Sequence, residues 1–261
     1  MCELFGISSR KKVLCNELLK KFYANSVNHP DGWGLAAFYQ NSVSVEKEPL
    51  SASMSLYLEN RLTDEIEEDV LLAHIRKASV GSLVYKNSHP FAVRDHSDRM
   101  WTLIHNGTVF ESELLDVYKK KQKGQCDSER VLLYFVDCIN QKQEEAGRLV
   151  DAGERFAVID QALHRIVPKN KLNLLLYDGE LLYVHMNHPD SLHSSHCDGG
   201  FVFSTQPLDD GHWDCVPINT LLAFRQGELV CTGIPHDFTF LKEEDIGRQF
   251  DPRTSPDIYY L

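Results

Sequence analysis

Met1-Cys2-Glu3-Leu4-Phe5-Gly6-Ile7 opens the chain. Leu4 to Ile7 predicts a short apolar strand that begins almost at the terminus, with Cys2 at its leading end. A small second residue normally allows the initiator methionine to be removed. Cys2 would then carry a free α-amine and a thiol together. The thiolate is the nucleophilic form of cysteine, and a free cysteine has a pKa of about 8.5. An α-amine has a pKa of about 7.7–8.0, so near neutral pH much of it can accept that proton. Nucleophile and base would be built into one residue. Position alone favours the plainer role, a small hydrophobe starting a buried strand. The rest of the chain reverses that preference.

Working outward, Asn16 to Tyr23 reads as a helix with Leu18, Leu19 and Phe22 on one face. Asn28 to Gly34 is dense in turn formers, and Leu35–Tyr39 with Ser42–Glu46 reads as a strand pair joined through Gln40-Asn41. Ser51 to Leu62 is ambiguous between helix and irregular chain. Asp69 to Ile75 and Met100 to Ile104 read as buried strands, the second ending at His105-Asn106-Gly107. Helices are predicted over Glu111–Lys120, Ser128–Ile139 and Arg155–Val167. Two hairpins follow, Leu172–Tyr177 with Leu181–Met186, and Leu221–Arg225 with Glu228–Cys231, and Phe201–Ser204 is a short strand. The tail from Asp251 reads as irregular. Strands at both ends with helices between predict an α+β fold with layered sheets, in one domain over residues 2–261.

Composition narrows the function. The chain has 261 residues, enough to bury a large core. Its net charge of -11 argues against nucleic acid and anionic membranes as partners. No apolar run approaches the ~20 residues of a membrane span, and no signal peptide is visible. Seven scattered cysteines without a CxxC suggest neither a disulfide framework nor a zinc ribbon. The predicted compartment is the reducing cytoplasm, where the Cys2 thiol stays usable. His193-Ser194-Ser195-His196-Cys197 is the densest cluster of metal-ligand types, and it reads better as a polar loop between strands. No metal or cofactor is expected.

Four segments carry candidate chemistry. An arginine at a strand end, such as Arg76 in His74-Ile75-Arg76-Lys77-Ala78-Ser79-Val80-Gly81, can clamp a carboxylate through two hydrogen bonds, although most such arginines serve structural ion pairs. Asn106 and Gly107 supply the amide and exposed N–H that an oxyanion hole needs, although Asn-Gly is also a common turn. Asp127 in Cys126-Asp127-Ser128-Glu129 opens a helix, where it either caps the helix or binds an ammonium group. Asn28 to Gly34 covers a site or merely connects two elements.

Taken together and in this order, these segments resemble class II glutamine amidotransferase domains, which are N-terminal-nucleophile hydrolases. Cys2 matches the family nucleophile. His74-x-Arg76-x-Ala78-Ser79-x-Gly81 is similar to the family's His-x-Arg-x-Ala-Thr-x-Gly, with Ser79 in place of threonine. His105-Asn106-Gly107 matches the oxyanion motif unchanged, and Asp127-Ser128-Glu129 matches the acidic motif. Asn87-Ser88-His89-Pro90-Phe91 and Ser204-Thr205-Gln206-Pro207-Leu208 resemble the short stand-alone, YafJ-like members. Lys77 stands where synthase members often have tryptophan, which bears on substrate closure and transfer to a partner domain.

The resemblance implies a four-layer αββα sandwich and hydrolysis of a γ-glutamyl amide through a Cys2 thioester. It assigns Asn106 and Gly107 to the oxyanion, Arg76 and Ser79 to the substrate carboxylate, and Asp127 to its ammonium. The implied partners are glutamine or another small γ-glutamyl compound, with ammonia passing either to water or to a separate acceptor protein. No nucleotide-binding GxGxxG or GxxxxGK[ST] is present. The competing reading is a binding or regulatory module that keeps the fold without catalysis.

Overall fold

The computed structural model describes residues 2–110 and 112–241. In chain order they form β1 (Glu3–Leu14), α1 (Asn16–Ala24), β2 (Trp33–Tyr39), β3 (Ser42–Glu48), α2 (Leu56–Arg61) and β4 (Glu67–Ile75). Next come β5 (Phe91–Arg94), β6 (Met100–Thr108), α3 (Glu113–Asp116), α4 (Asp127–Ala146) and α5 (Ala152–Ile166). The last third holds β7 (Lys171–Tyr177), β8 (Leu182–His185), β9 (His193–Cys197), β10 (Gly200–Ser204), β11 (Asp214–Cys215), β12 (Leu222–Arg225) and β13 (Glu228–Thr232). Two sheets result, in the orders β11-β9-β10-β1-β4-β2-β3 and β13-β12-β8-β7-β6-β5.

The layering follows from strands that are apolar on both faces. Side chains alternate across a strand, and in β1 Phe5 and Ile7 join Leu19 and Phe22 of α1 in one core. Leu4, between them, joins Leu72, Ile104 and Leu175 in a second core between the sheets. A third core fills the outer face of the second sheet, where Leu103 and Leu174 meet Val131 and Phe135 of α4 and Ile159 and Leu163 of α5. Helix, sheet, sheet and helix therefore stack in four layers, the αββα sandwich expected. At Gly6 the sheets approach so closely that a Cβ would lie 2.6 Å from a methyl of Leu175.

Several boundaries differ from the expectations, each for a physical reason. The strand predicted over Leu4–Ile7 runs on to Leu14, because β10 pairs with it through Ser9 and β4 pairs with it as far as Leu14. The helix expected from Arg155 starts at Ala152, where Asp151 and Glu154 form a reciprocal capping box. The helix expected to stop at Ile139 continues through a polar stretch to Ala146 and ends at Gly147, with φ 63°. Glu111 lies outside the described residues, and the rest of its predicted helix divides into α3 and a 3-10 turn over Val117–Lys120. His193–Cys197 is not a loop but β9, paired with β10 and β11. The tail from Asp251 lies outside the described residues.

Candidate active site

Register brings the first two site residues side by side. β1 and β4 are antiparallel with Glu3 opposite Ile75, and β2 pairs on the other side of β4 with Trp33 opposite Ile75. One residue further out, Cys2, Arg76 and Gly32 form a row. Arg76 N–H donates to Gly32 O at 2.8 Å, and Asp31 N–H donates to Arg76 O at 3.1 Å. The Lys77 N–H lies 3.4 Å from Cys2 Sγ, and the thiol lies 3.4 Å from Lys77 O. Leu4 N–H donates to Thr205 Oγ1 at 2.8 Å and Leu4 O accepts from Thr205 N–H at 3.0 Å, so the start of β1 is fixed. Burial pushes the Cys2 thiol above its ordinary value, the Lys77 N–H and Arg76 oppose that, and Asp127 adds to it. At neutral pH the resting thiol is protonated and needs a base.

Arg76 is buried to 2% exposure. Its guanidinium donates to Val80 O at 2.8 Å, Gly81 O at 3.2 Å and Ser82 O at 3.5 Å. Among the described residues no carboxylate lies within ion-pair distance of it. A buried guanidinium held only by carbonyls keeps a full charge available to an incoming anion. Asp31 Oδ2 accepts from Ala78 N–H at 2.7 Å, so the Asn28–Gly34 segment anchors the chain that follows Arg76.

The other half of the site comes from the second sheet. His105-Asn106-Gly107 was expected to follow β6, yet it lies inside the strand, because β7 pairs through to Thr108. The local Asn-Gly turn signal is overridden by tertiary pairing. β5 pairs with β6 only from Met100 to Leu103, so beyond that point one edge of β6 has no strand partner among the described residues. Ile104 faces the other sheet, and by alternation so does Asn106. Asn106 is 1% exposed, and its amide Nδ2 has no hydrogen-bond partner. Gly107 has no space for a side chain, since a Cβ would collide with Lys171 O and His105 Nε2. His105 Nε2 lies 3.1 Å from Lys171 O and Nδ1 lies 2.9 Å from Ser128 Oγ. A carbonyl only accepts, so Nε2 carries the proton and Nδ1 accepts from the serine. His105 thereby ties β6 to both β7 and α4.

Asp127 opens α4 and is 3% exposed. Its Oδ2 accepts from Val109 N–H at 2.7 Å and its Oδ1 from Ser128 N–H at 3.0 Å. Among the described residues no cation is within 4 Å. Ser79 is exposed, with its hydroxyl 3.3 Å from that of Thr108, and this contact joins the Arg76 loop to the end of β6. All six predicted residues therefore sit at one end of the sandwich. Among the described residues no group of three or more His, Cys, Asp or Glu is arranged to hold a metal ion.

Spacing did not show the supports behind this site. Lys47, pushed down to about 8 by burial, donates to Ser88 O at 2.6 Å and Pro90 O at 2.9 Å. Glu129 accepts from the N–H groups of Lys123 and Gly124 at 2.8 and 2.9 Å. Asn87 is fully buried; its amide donates to Ser82 O at 2.9 Å, and its carbonyl accepts from Gln125 N–H at 2.7 Å. One side chain thus links the loop that clamps Arg76 to the segment entering α4 and Asp127. Asn87→Ala is expected to raise KM roughly tenfold, a loss of about 1.4 kcal/mol in line with one or two lost hydrogen bonds. Steady-state kinetics should show kcat changing much less, because Cys2 and Asn106, the residues expected to carry the chemistry, stay in place.

The family model for class-II glutamine amidotransferases matches residues 1–196. The chain belongs to this family. MJ1515 of Methanocaldococcus jannaschii is 31% identical over 257 residues, covering 88% of this chain and 71% of that protein. YafJ of Escherichia coli K12 is 26% identical over 189 residues, covering 71% of this chain and 72% of YafJ. The crystal structure of a predicted glutamine amidotransferase from Pseudomonas aeruginosa PA01 superposes with a TM-score of 0.59 at 19% identity, over 88% of this chain and 100% of that one. Glutamine phosphoribosylpyrophosphate amidotransferase of Bacillus subtilis superposes with a TM-score of 0.62 at 16% identity, over 88% of this chain and 48% of that one. At such identities these superpositions establish the shared N-terminal-nucleophile hydrolase fold.

Proposed function

We propose that this chain, as one catalytic domain over residues 2–261, hydrolyses the γ-glutamyl amide bond of glutamine or a related γ-glutamyl compound. The observation that carries this reading is a set of unmatched groups. Among the described residues Arg76 is a buried cation without a carboxylate, Asp127 a buried anion without a cation, and Asn106 Nδ2 a buried donor without an acceptor. Leaving such groups unpaired is costly. A γ-glutamyl substrate is complementary to all three, with an α-carboxylate for Arg76, an α-ammonium for Asp127 and a developing oxyanion for Asn106.

The chemistry follows. With Met1 removed, the Cys2 α-amine takes the thiol proton, and Sγ attacks the amide carbon. Asn106 Nδ2 and the Gly107 N–H hold the oxyanion, and the protonated α-amine gives its proton to the leaving nitrogen. Ammonia or an amine departs, and water hydrolyses the γ-glutamyl thioester. Ser79 assists at the carboxylate end. Released ammonia goes to solvent or to a separate acceptor protein. The reading places the chain in the reducing cytoplasm, since it needs a free Cys2 thiol.

The decisive experiment is mass spectrometry after treatment with 6-diazo-5-oxo-norleucine, a glutamine-shaped electrophile. One adduct on Cys2, in a chain lacking Met1 and protected by excess glutamine, is the expected result. A processed chain that stays unmodified and hydrolyses no γ-glutamyl substrate would overturn the proposal.

A further inference from the structure

The groups proposed to do the chemistry come from different sheets. Cys2 precedes β1 and Arg76 follows β4 in the first sheet, whereas Asn106 and Gly107 lie on β6 of the second. Leu4, Leu72, Ile104 and Leu175 fill the layer between them. Apolar contact has no direction. An oxyanion hole needs direction, since its donors must lie about 2.7–3.1 Å from the reacting oxygen. His74 supplies a directed link. It stands opposite Leu4 in the β1–β4 ladder and opposite Gly34 in the β2–β4 ladder, two residues before Arg76. Its Nε2 lies 3.3 Å from His105 O, on the residue just before Asn106.

A carbonyl only accepts, so Nε2 of His74 carries the proton and donates it. Burial pushes the pKa of this ring down to about 3, so it is neutral at working pH and Nδ1 is bare. Among the described residues Nδ1 has no hydrogen-bond partner. The hydrogen bonding of this side chain is thus directed across the sheets. The ring is also held in place. His89 stacks on it with centroids 4.0 Å apart, and Phe91 of β5 meets the His89 ring edge-on at 4.6 Å. Gly34 makes room for this layer, because a Cβ there would collide with His89 O.

We propose that His74 is a positioning residue, which sets the oxyanion donors Asn106 and Gly107 against Cys2 through its hydrogen bond to His105 O. The proposal rests on the γ-glutamyl reading above. His105 O and Asn106 N belong to one planar peptide group, so holding that oxygen fixes where the Asn106 residue begins. A displacement of about 1 Å at such donors is enough to cost about 10²-fold in rate. His74 touches no reacting atom in this scheme, and its proton is not transferred.

His74→Phe keeps a ring to stack on His89 but removes the donor, whereas His74→Gln returns an N–H near the position of Nε2. In γ-glutamyl hydrolysis, His74→Phe is expected to lower kcat about 10²-fold with KM near wild type. His74→Gln should recover most of that loss. In an Asn106→Ala background the His74→Phe change should cost less than about tenfold, because residues that act through one another are not additive. Alkylation of Cys2 by iodoacetamide, which needs no oxyanion donor, should proceed in His74→Phe as in wild type. No loss in His74→Phe, an equal loss in both backgrounds, a KM rise without a fall in kcat, or slowed alkylation would each overturn the assignment. Where His74→Phe fails to fold, NMR of isotope-labelled histidine rings in the wild-type chain tests the same bond. The Nε2–H tautomer of His74 is expected, and an Nδ1–H tautomer would overturn the proposal. A wild-type chain that hydrolyses no γ-glutamyl substrate in the same assay would instead overturn the reading itself, and this inference with it.

Discussion

Cys2→Ala is expected to lower γ-glutamyl hydrolysis by about 10⁴-fold or more, in the range seen when a catalytic nucleophile is removed. The structure gives that loss a particular pH signature. Burial holds the Cys2 thiol above its ordinary value, so thiolate does not accumulate on its own at neutral pH. In the proposed mechanism the α-amine takes the proton, and below its own pKa of about 7.7–8.0 it is already protonated. kcat/KM for the wild-type chain should therefore rise with pH through that window and fall as pH drops below it. Inserting a lysine between Met1 and Cys2 separates the two roles. A large second residue blocks methionine removal, so the thiol stays but its neighbouring nitrogen becomes an amide. That variant should remain open to alkylation at Cys2 yet hydrolyse substrate no faster than Cys2→Ala. Activity within tenfold of wild type in the insertion variant would mean that another group is the base. Stopped-flow or coupled ammonia assays across pH 6 to 9 distinguish these outcomes.

How much of this site the sequence shows depends on the range of the interaction responsible. Period-two burial is local, so the two apolar faces of Leu4–Ile7 and Asp69–Ile75 were visible and pointed to strands buried between layers. The row that sets Cys2 beside Arg76 is a matter of register between strands some seventy residues apart, and only pairing fixes it. The same limit explains His105-Asn106-Gly107. A turn was the sound local inference from Asn-Gly, whereas β7 extends the ladder through it and turns Asn106 inward. Asn87 enters only as part of a resemblance and Lys47 not at all, because their roles are buried hydrogen bonds to backbone groups, which leave no spacing pattern. By contrast, the capping box at Asp151 and Glu154 was local and legible, yet went unread because apolar periodicity set the predicted boundary. Chemistry-bearing residue types are read from sequence; what holds them in place is read from packing.

Asn106→Ala should reduce kcat by about 10²–10³ while leaving KM near wild type, the mark of an interaction made only in the transition state. The resting structure supports the asymmetry. Asn106 Nδ2 makes no hydrogen bond and is buried, so in the free protein the amide is a cost rather than a contribution. An unpaired buried donor is unfavourable by roughly 1–3 kcal/mol, and truncation removes that penalty while losing some packing. Thermal unfolding of Asn106→Ala should accordingly show little loss of stability, far less than the roughly 2.7–4 kcal/mol lost from the catalytic barrier. Asn106→Asp provides the contrast. It keeps the shape but replaces the donor with a carboxylate oxygen, which repels a developing oxyanion. Its kcat should fall below that of Asn106→Ala at pH values where the new carboxyl is ionised, and recover toward it once protonation restores an O–H donor. A structural role for Asn106 would give the reverse pattern, with stability and KM changing together and kcat following. The activity loss and the stability change are thus expected to separate, because the fold leaves Asn106 Nδ2 unmatched and the proposed mechanism gives it a partner only in the transition state.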